Sequence, residues 1–105
     1  MKITNETIYR TLDDISVSPN ILGYEYIVDA LHLIFKDSTL RHNIVLLYST
    51  IGKAHNATSS SVERCIRYAI QTCNHQHSCL KNYKKLTNSK FLCILYYSIL
   101  NELES

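Results

Sequence analysis

The 105-residue sequence is poor in the residues that mark turns, with only two glycines and one proline. A β-sandwich or β-barrel needs many tight turns, and Gly and Pro dominate such turns. The shortage of both therefore argues against an all-β fold. Long stretches with apolar residues three and four apart instead predict an all-α fold, and the chain length predicts one domain, residues 1–105.

Long apolar runs are missing as well. No stretch approaches the roughly 18 apolar residues that a membrane-spanning helix needs, and the start MKITNETIYR has no apolar signal-peptide core. We therefore expect a cytoplasmic protein without a membrane partner. Cysteines stay reduced in that compartment, so we expect the four cysteines to be core residues or ligands rather than disulfides.

Acidic residues are scarce in the middle of the chain. Residues 38–90 contain eight basic residues and one acidic residue, Glu63, whereas residues 1–37 contain three basic and six acidic ones. The two segments thus carry net charges of +7 and −3. Such an asymmetry is typical of a basic face that binds a polyanion, although an ordinary solvated surface has the same composition.

Apolar residues at helical spacing predict five helices. Their expected bounds are about 5–16, 22–36, 40–54, 59–74 and 87–103. The fourth helix has an apolar face that we expect to be buried: Val62, Ile66, Ala69, Ile70 and Cys73. Its start has two candidate N-caps, because Ser60 and Glu63 have the spacing of a capping box and Thr58 can serve equally well.

The third and fourth helices have the layout of a helix-turn-helix over about residues 43–74. In this motif the second helix enters the major groove, and its first two turns face the bases. Those turns carry Glu63, Arg64 and Arg67. Arginine can donate two hydrogen bonds to guanine, and glutamate can accept from cytosine or hold an arginine in place. Alternatively, Glu63 and Arg67 form an ordinary surface pair four residues apart.

Three stretches resemble, in the same order, the C-terminal DNA-binding effector domain of the stage-zero sporulation response regulator family: GYEYIVDAL (residues 23–31), LYSTIGKAHNATSSSVERCIRYAI (47–70) and LTNSKF (86–91). The resemblance implies a bundle of about five to six helices with a helix-turn-helix. It also implies sequence-specific binding of double-stranded DNA in transcription regulation, with residues 59–74 as the recognition helix.

The matching positions imply roles for individual residues. The residues expected to face bases are Glu63, Arg64 and Arg67. The residues expected to contact phosphates, by resemblance or by their hydroxyl groups, are Lys53, Thr58, Ser60 and Ser61. The sequence departs from the family at Ser61, where arginine is common, and at Leu86, where the family has proline.

The resemblance also suggests partners. It implies a homodimer on tandem DNA sites, with RNA polymerase or a full-length regulator as candidate protein partners. The family protein normally has a receiver domain, which this sequence does not show. A second hypothesis of another class is therefore an interaction module, without a receiver, that dimerises with or antagonises a full-length regulator.

The segment CNHQHSC contains four potential metal ligands: Cys73, His75, His77 and Cys79. Structural zinc sites generally take two ligand pairs from separate elements, whereas these four alternate within one segment. We therefore expect no metal site, and a zinc-stabilised structural domain is only a third hypothesis. No Gly-rich phosphate loop, paired carboxylates or activated cysteine marks a catalytic site, so we expect neither an enzyme nor a cofactor.

Overall fold

Five α-helices and one 3-10 helix make up the regular structure of the computed structural model, which describes residues 3–77 and 79–104. In chain order the elements are α1 (Asn5–Asp14), α2 (Leu22–Lys36), the 3-10 helix (Ser38–His42), α3 (Ile44–His55), α4 (Ser59–Thr72) and α5 (Asn88–Glu104). The described residues form no strand, and the predicted all-α class is confirmed. None of their helices has the length and apolar character needed to cross a membrane.

Side-chain caps set where several helices begin. Thr4 Oγ1 accepts from the N–H of Thr7 at the start of α1 (3.3 Å), and Thr87 Oγ1 accepts from the N–H of Lys90 at the start of α5 (3.2 Å). Such bonds satisfy N–H groups that have no acceptor within the helix. α1 ends earlier than predicted, because Ser16 takes the left-handed conformation with φ of 62°.

The prediction of a helix beginning near Leu40 is wrong. Asp37 Oδ1 accepts from the N–H and the hydroxyl of Thr39 at 3.1 and 2.6 Å, which starts the 3-10 helix. Asn43 Oδ1 then accepts from the N–H of Leu46 at 3.3 Å and starts α3. Two caps six residues apart thus divide a segment in which apolar periodicity predicts one continuous helix. The bonds from Thr39 also lower the pKa of Asp37.

The central element is α2, which packs against every other helix, including the 3-10 helix. Its sequence is apolar on most sides, and Ile27, Ala30, Leu31 and Ile34 have no exposed surface. A helix that is apolar nearly all round is stable only when other elements surround it. The remaining helices therefore form a shell around α2 and turn their polar faces outwards.

Both glycines lie where two backbones touch. A Cβ at Gly23, in α2, would lie 2.2 Å from the carbonyl oxygen of Cys65 in α4. A Cβ at Gly52, in α3, would lie 2.5 Å from the carbonyl oxygen of Ala57. Neither oxygen can move without moving its backbone. The glycines therefore fix α4 against α2 and fix the turn that precedes it. That residues 1–105 form a single DNA-binding domain stays a prediction.

Replacing Gly23 by alanine is expected to destabilise the protein. Alanine is more favourable than glycine inside a helix by roughly 1 kcal/mol. Overpacking costs about 1–3 kcal/mol, and the distance of 2.2 Å to the Cys65 carbonyl oxygen puts the expected cost at the upper end of that range. We expect Gly23→Ala to lower the free energy of unfolding measured by urea titration. Ser98→Ala, at an exposed site in α5, is the control and should change it by less than about 0.5 kcal/mol. A Gly23→Ala protein as stable as the wild type would contradict the close contact.

Candidate nucleic-acid interface

A tight turn joins α3 to α4. Asn56, which follows the last residue of α3, has φ and ψ of 56° and 45°, in the left-handed region that asparagine tolerates well. The N–H of Ala57 then donates to the carbonyl of Gly52 at 2.8 Å. Thr58 is the N-cap of α4, so three residues separate the two helices. The short connection leaves α4 little freedom to change its angle to α3.

His55, the last residue of α3, ties the turn to α2. Its Nε2 forms a hydrogen bond with a carboxylate oxygen of Asp29. The imidazole ring also packs edge-on against Tyr26, with ring centroids 5.1 Å apart. Both partners belong to α2, so the turn is held from the side as well as from its two ends.

The start of α4 shows which residue is the cap. Thr58 Oγ1 accepts from the N–H of Ser61 at 3.0 Å, and the N–H of Val62 donates to the Thr58 carbonyl at 3.0 Å. The predicted capping box of Ser60 and Glu63 is therefore not formed, and the alternative cap, Thr58, is the one found. The N–H groups of Ser59 and Ser60 lie in the first turn, where no helical carbonyl precedes them. Both residues are exposed, at the positive end of the helix dipole.

The two faces of α4 differ sharply. Val62, Ile66 and Ala69 have no exposed surface, so the predicted buried face is found. Arg64 and Arg67 are exposed on the opposite side, and Glu63 is half-buried at its edge. Arg67 Nη1 donates to Glu63 Oε1 at 2.8 Å. One carboxylate oxygen thus limits the motion of the Arg67 guanidinium, which keeps other N–H groups for a ligand.

Two grooves flank α4. The first, here named the α2 groove, has a volume of about 380 Å³ and lies between the start of α2 and the Ser61, Arg64, Cys65 and Tyr68 side of α4. The second, the α5 groove, has a volume of about 370 Å³ and is lined by Glu63 and Arg67 together with residues 85–89. Arg64 and Arg67 therefore border different grooves while sharing the exposed face between them.

The four predicted phosphate-contacting residues lie around the start of α4. Thr58 and Ser60 are exposed, and Ser61 is half-buried in the wall of the α2 groove. Lys53 is exposed in the last turn of α3, just before the connection. The hydroxyls thus share one helical turn with the free N–H groups, and Lys53 supplies a charge on the preceding helix.

The excess of basic residues is on the surface. Of the eight basic residues in segment 38–90, Arg41 is half-buried and seven are exposed: Lys53, Arg64, Arg67, Lys81, Lys84, Lys85 and Lys90. The guanidinium of Arg41 packs over the rings of Tyr96 and Tyr97, 5.4 and 5.2 Å from their centroids. Arg41 is thus used within the fold, whereas the other seven are exposed and can meet a polyanion even where, as at Arg67 and Lys90, they also contact a neighbouring side chain.

Asn88, the first residue of α5, is a structural residue that sequence reasoning missed. Its Nδ2 donates to the hydroxyl of Tyr48 in α3 at 2.9 Å and to the carbonyl of Glu63 in α4 at 3.0 Å. Burial raises the pKa of Tyr48. Asn88 lies in the quoted motif LTNSKF, but nothing in that motif indicates partners 25 and 40 residues away.

Half of the CNHQHSC segment caps the C-terminal end of α4. Cys73 Sγ donates to the carbonyl of Ile70 at 3.1 Å, and His75 Nε2 donates to the same oxygen at 2.7 Å. The other two potential ligands approach each other, with His77 Nδ1 and Cys79 Sγ 3.2 Å apart. Burial raises the pKa of both thiols, which disfavours the thiolate that binds metal.

The described residues give no support to the zinc hypothesis. Across residues 3–77 and 79–104, no three His, Cys, Asp or Glu side chains are grouped so that they could hold a metal ion. Ser78, within CNHQHSC, lies outside the described residues.

Comparison with protein families connects this geometry to a known group. The family model described as "Sporulation initiation factor Spo0A C terminal" matches residues 8–99, from the middle of α1 to near the end of α5. It is a family of DNA-binding effector domains of transcription factors and not an enzyme family. The match includes the turn between α3 and α4, the capped start of α4 and the arginines on its outer face. Because the match covers most of the chain, the chain belongs to the family of the sporulation initiation factor C-terminal domain.

Proposed function

We propose that this protein binds double-stranded DNA sequence-specifically, with α4 in the major groove, and so regulates transcription. The observation that carries the proposal is the exposed pair Arg64 and Arg67 on a helix whose opposite face is wholly buried. An α-helix fits the width of the major groove, and its N-terminal turns reach the base edges. Membership of a DNA-binding family supports the same conclusion.

Base recognition in this proposal belongs to Glu63, Arg64 and Arg67. A guanidinium recognises guanine through two parallel hydrogen bonds, to O6 and N7. The bond from Arg67 Nη1 to Glu63 uses one donor and restricts the rotamers of the arginine before DNA arrives. Less conformational entropy is then lost on binding. We assign Glu63 chiefly to this holding role; the alternative is that its carboxylate accepts a hydrogen bond from cytosine N4.

Backbone contacts in this proposal belong to Lys53 and to the first turn of α4. The hydroxyls of Thr58, Ser60 and Ser61 can donate to phosphate oxygens, and Thr58 can do so while its oxygen still caps the helix. The N–H groups of Ser59 and Ser60 add donors at the positive end of the helix dipole. These contacts would fix the orientation of α4 without reading the sequence.

Protein partners remain part of the proposal. We propose a homodimer on tandem sites, and contact with RNA polymerase or a full-length regulator, only because the sequence resembles the family. Titration of one-site and two-site duplexes would measure the stoichiometry. If the protein still co-purifies with a full-length regulator after Arg64 and Arg67 are replaced, the interaction module is favoured instead.

Replacing Arg67 by lysine tests base recognition. Lysine keeps the charge but lacks the planar fork, so the preference for a duplex selected from a random pool over its scrambled version should fall about tenfold to a hundredfold. Affinity for the scrambled duplex should stay nearly constant, because the charge is unchanged. Both affinities can be measured by fluorescence anisotropy. Equal preference in the wild type and the Arg67→Lys variant would contradict the assignment.

Replacing Lys53 by alanine tests the backbone contact. Loss of one phosphate contact should weaken binding to selected and scrambled duplexes alike and reduce the slope of log K against log salt by about 1. Lys36→Ala removes the same charge at the far end of α2. At 1.5 Å per residue, Lys36 lies about 20 Å along that helix from Gly23, where α2 contacts α4. This control should leave the slope unchanged. A Lys53→Ala protein with the wild-type slope would place the lysine away from DNA.

A further inference from the structure

The side-chain amide of Asn88, which lines the α5 groove, joins three helices. Asn88 begins α5, and its Nδ2 donates to Tyr48 Oη in α3 and to the Glu63 carbonyl oxygen in α4, at 2.9 and 3.0 Å. The two N–H bonds of one amide group serve two acceptors. Glu63 and Arg67 line the same groove.

The bond to Glu63 differs in kind from the apolar packing that holds α4. Apolar packing is not directional, so the buried face of a helix resists separation better than it resists rotation about the helix axis. A hydrogen bond to a backbone carbonyl depends on direction and so opposes rotation. A rotation of about 10° moves a group at the helix surface by roughly 1 Å, which is beyond the tolerance of a binding site.

We propose that Asn88 is a positioning residue for base recognition, acting through the backbone of Glu63. The inference rests on the proposed function. Glu63 is the residue that Asn88 holds through its carbonyl and also the residue that holds Arg67 through its carboxylate. The first residue of α5 thereby sets the rotation of α4 and the direction in which the Arg67 guanidinium points.

Asparagine suits this position for chemical reasons. Aspartate has nearly the same shape, but its ionised carboxylate has no donor for the Glu63 carbonyl, whereas the Tyr48 hydroxyl can turn and donate to it. Its negative charge in the first turn of α5 is favourable for that helix. Asn88→Asp therefore removes the hydrogen bond to Glu63, the one on which the proposal rests, while leaving α5 able to form. Ser89→Asp adds the same charge at the next residue, which lines the same groove, and keeps the amide of Asn88.

The test compares Asn88→Asp with Ser89→Asp for binding to the selected and the scrambled duplex. Both variants should bind the scrambled duplex more weakly than the wild type by a similar factor, since both add one negative charge. Only Asn88→Asp should also lose about tenfold in the ratio of the two affinities. An unchanged ratio in Asn88→Asp would overturn the positioning role. Absence of any preference in the wild type would instead contradict the proposed function itself.

Two neutral variants keep the test decisive if Asn88→Asp folds poorly. Asn88→Ala should show the same loss of ratio, measured well below its melting temperature. Tyr48→Phe removes only the acceptor in α3, so the bond to Glu63 and the wild-type ratio should persist. If Tyr48→Phe lowered the ratio of the two affinities as much as Asn88→Ala, the effect would come from the packing of α3, and this would overturn the inference. So would a folded Asn88→Ala protein with the wild-type ratio.

Discussion

The close contact between α2 and α4 at Gly23 is the constraint on which the rest of the structure depends. A side chain there would meet the Cys65 carbonyl 2.2 Å from its Cβ, so the two helices can cross at this distance only with glycine. The crossing buries the apolar face of α4 and so exposes Arg64 and Arg67. Gly52 adds a second close contact at the turn. The only two glycines of the chain thus allow the close helix packing that leaves the arginines on the exposed side of α4.

The number of α-helices and the buried face of α4 could be predicted because burial follows apolar spacing, whereas the 3-10 helix could not. The choice between neighbouring caps could not. Thr58 and Ser60 are chemically similar, and only the path of the turn from Gly52 to Ala57 selects Thr58. Near Leu40 the apolar spacing continues through the 3-10 helix and α3. It therefore predicts one helix where the caps at Asp37 and Asn43 start two. Local hydrogen bonds compete with helix continuation at such positions.

The contacts that surround the proposed site were beyond prediction for a different reason. Asn88 meets Tyr48 and Glu63 across 40 and 25 residues of sequence, and His55 meets Asp29 across 26. Such pairs depend on how the helices pack, which no local pattern encodes. The spacing of Glu63 and Arg67 predicts that they pair, but it does not predict what the pair does in the structure. In the structure it holds the guanidinium that borders the α5 groove.

The CNHQHSC segment shows why ligand-type residues do not by themselves indicate a metal. A helix leaves its last four carbonyls without intrahelical donors, and glycine usually follows to help satisfy them. No glycine follows α4. Thr72 Oγ1 instead donates to the Ala69 carbonyl at 2.9 Å, and Cys73 and His75 serve that of Ile70. The same groups that resemble a zinc motif therefore end the helix proposed to read DNA.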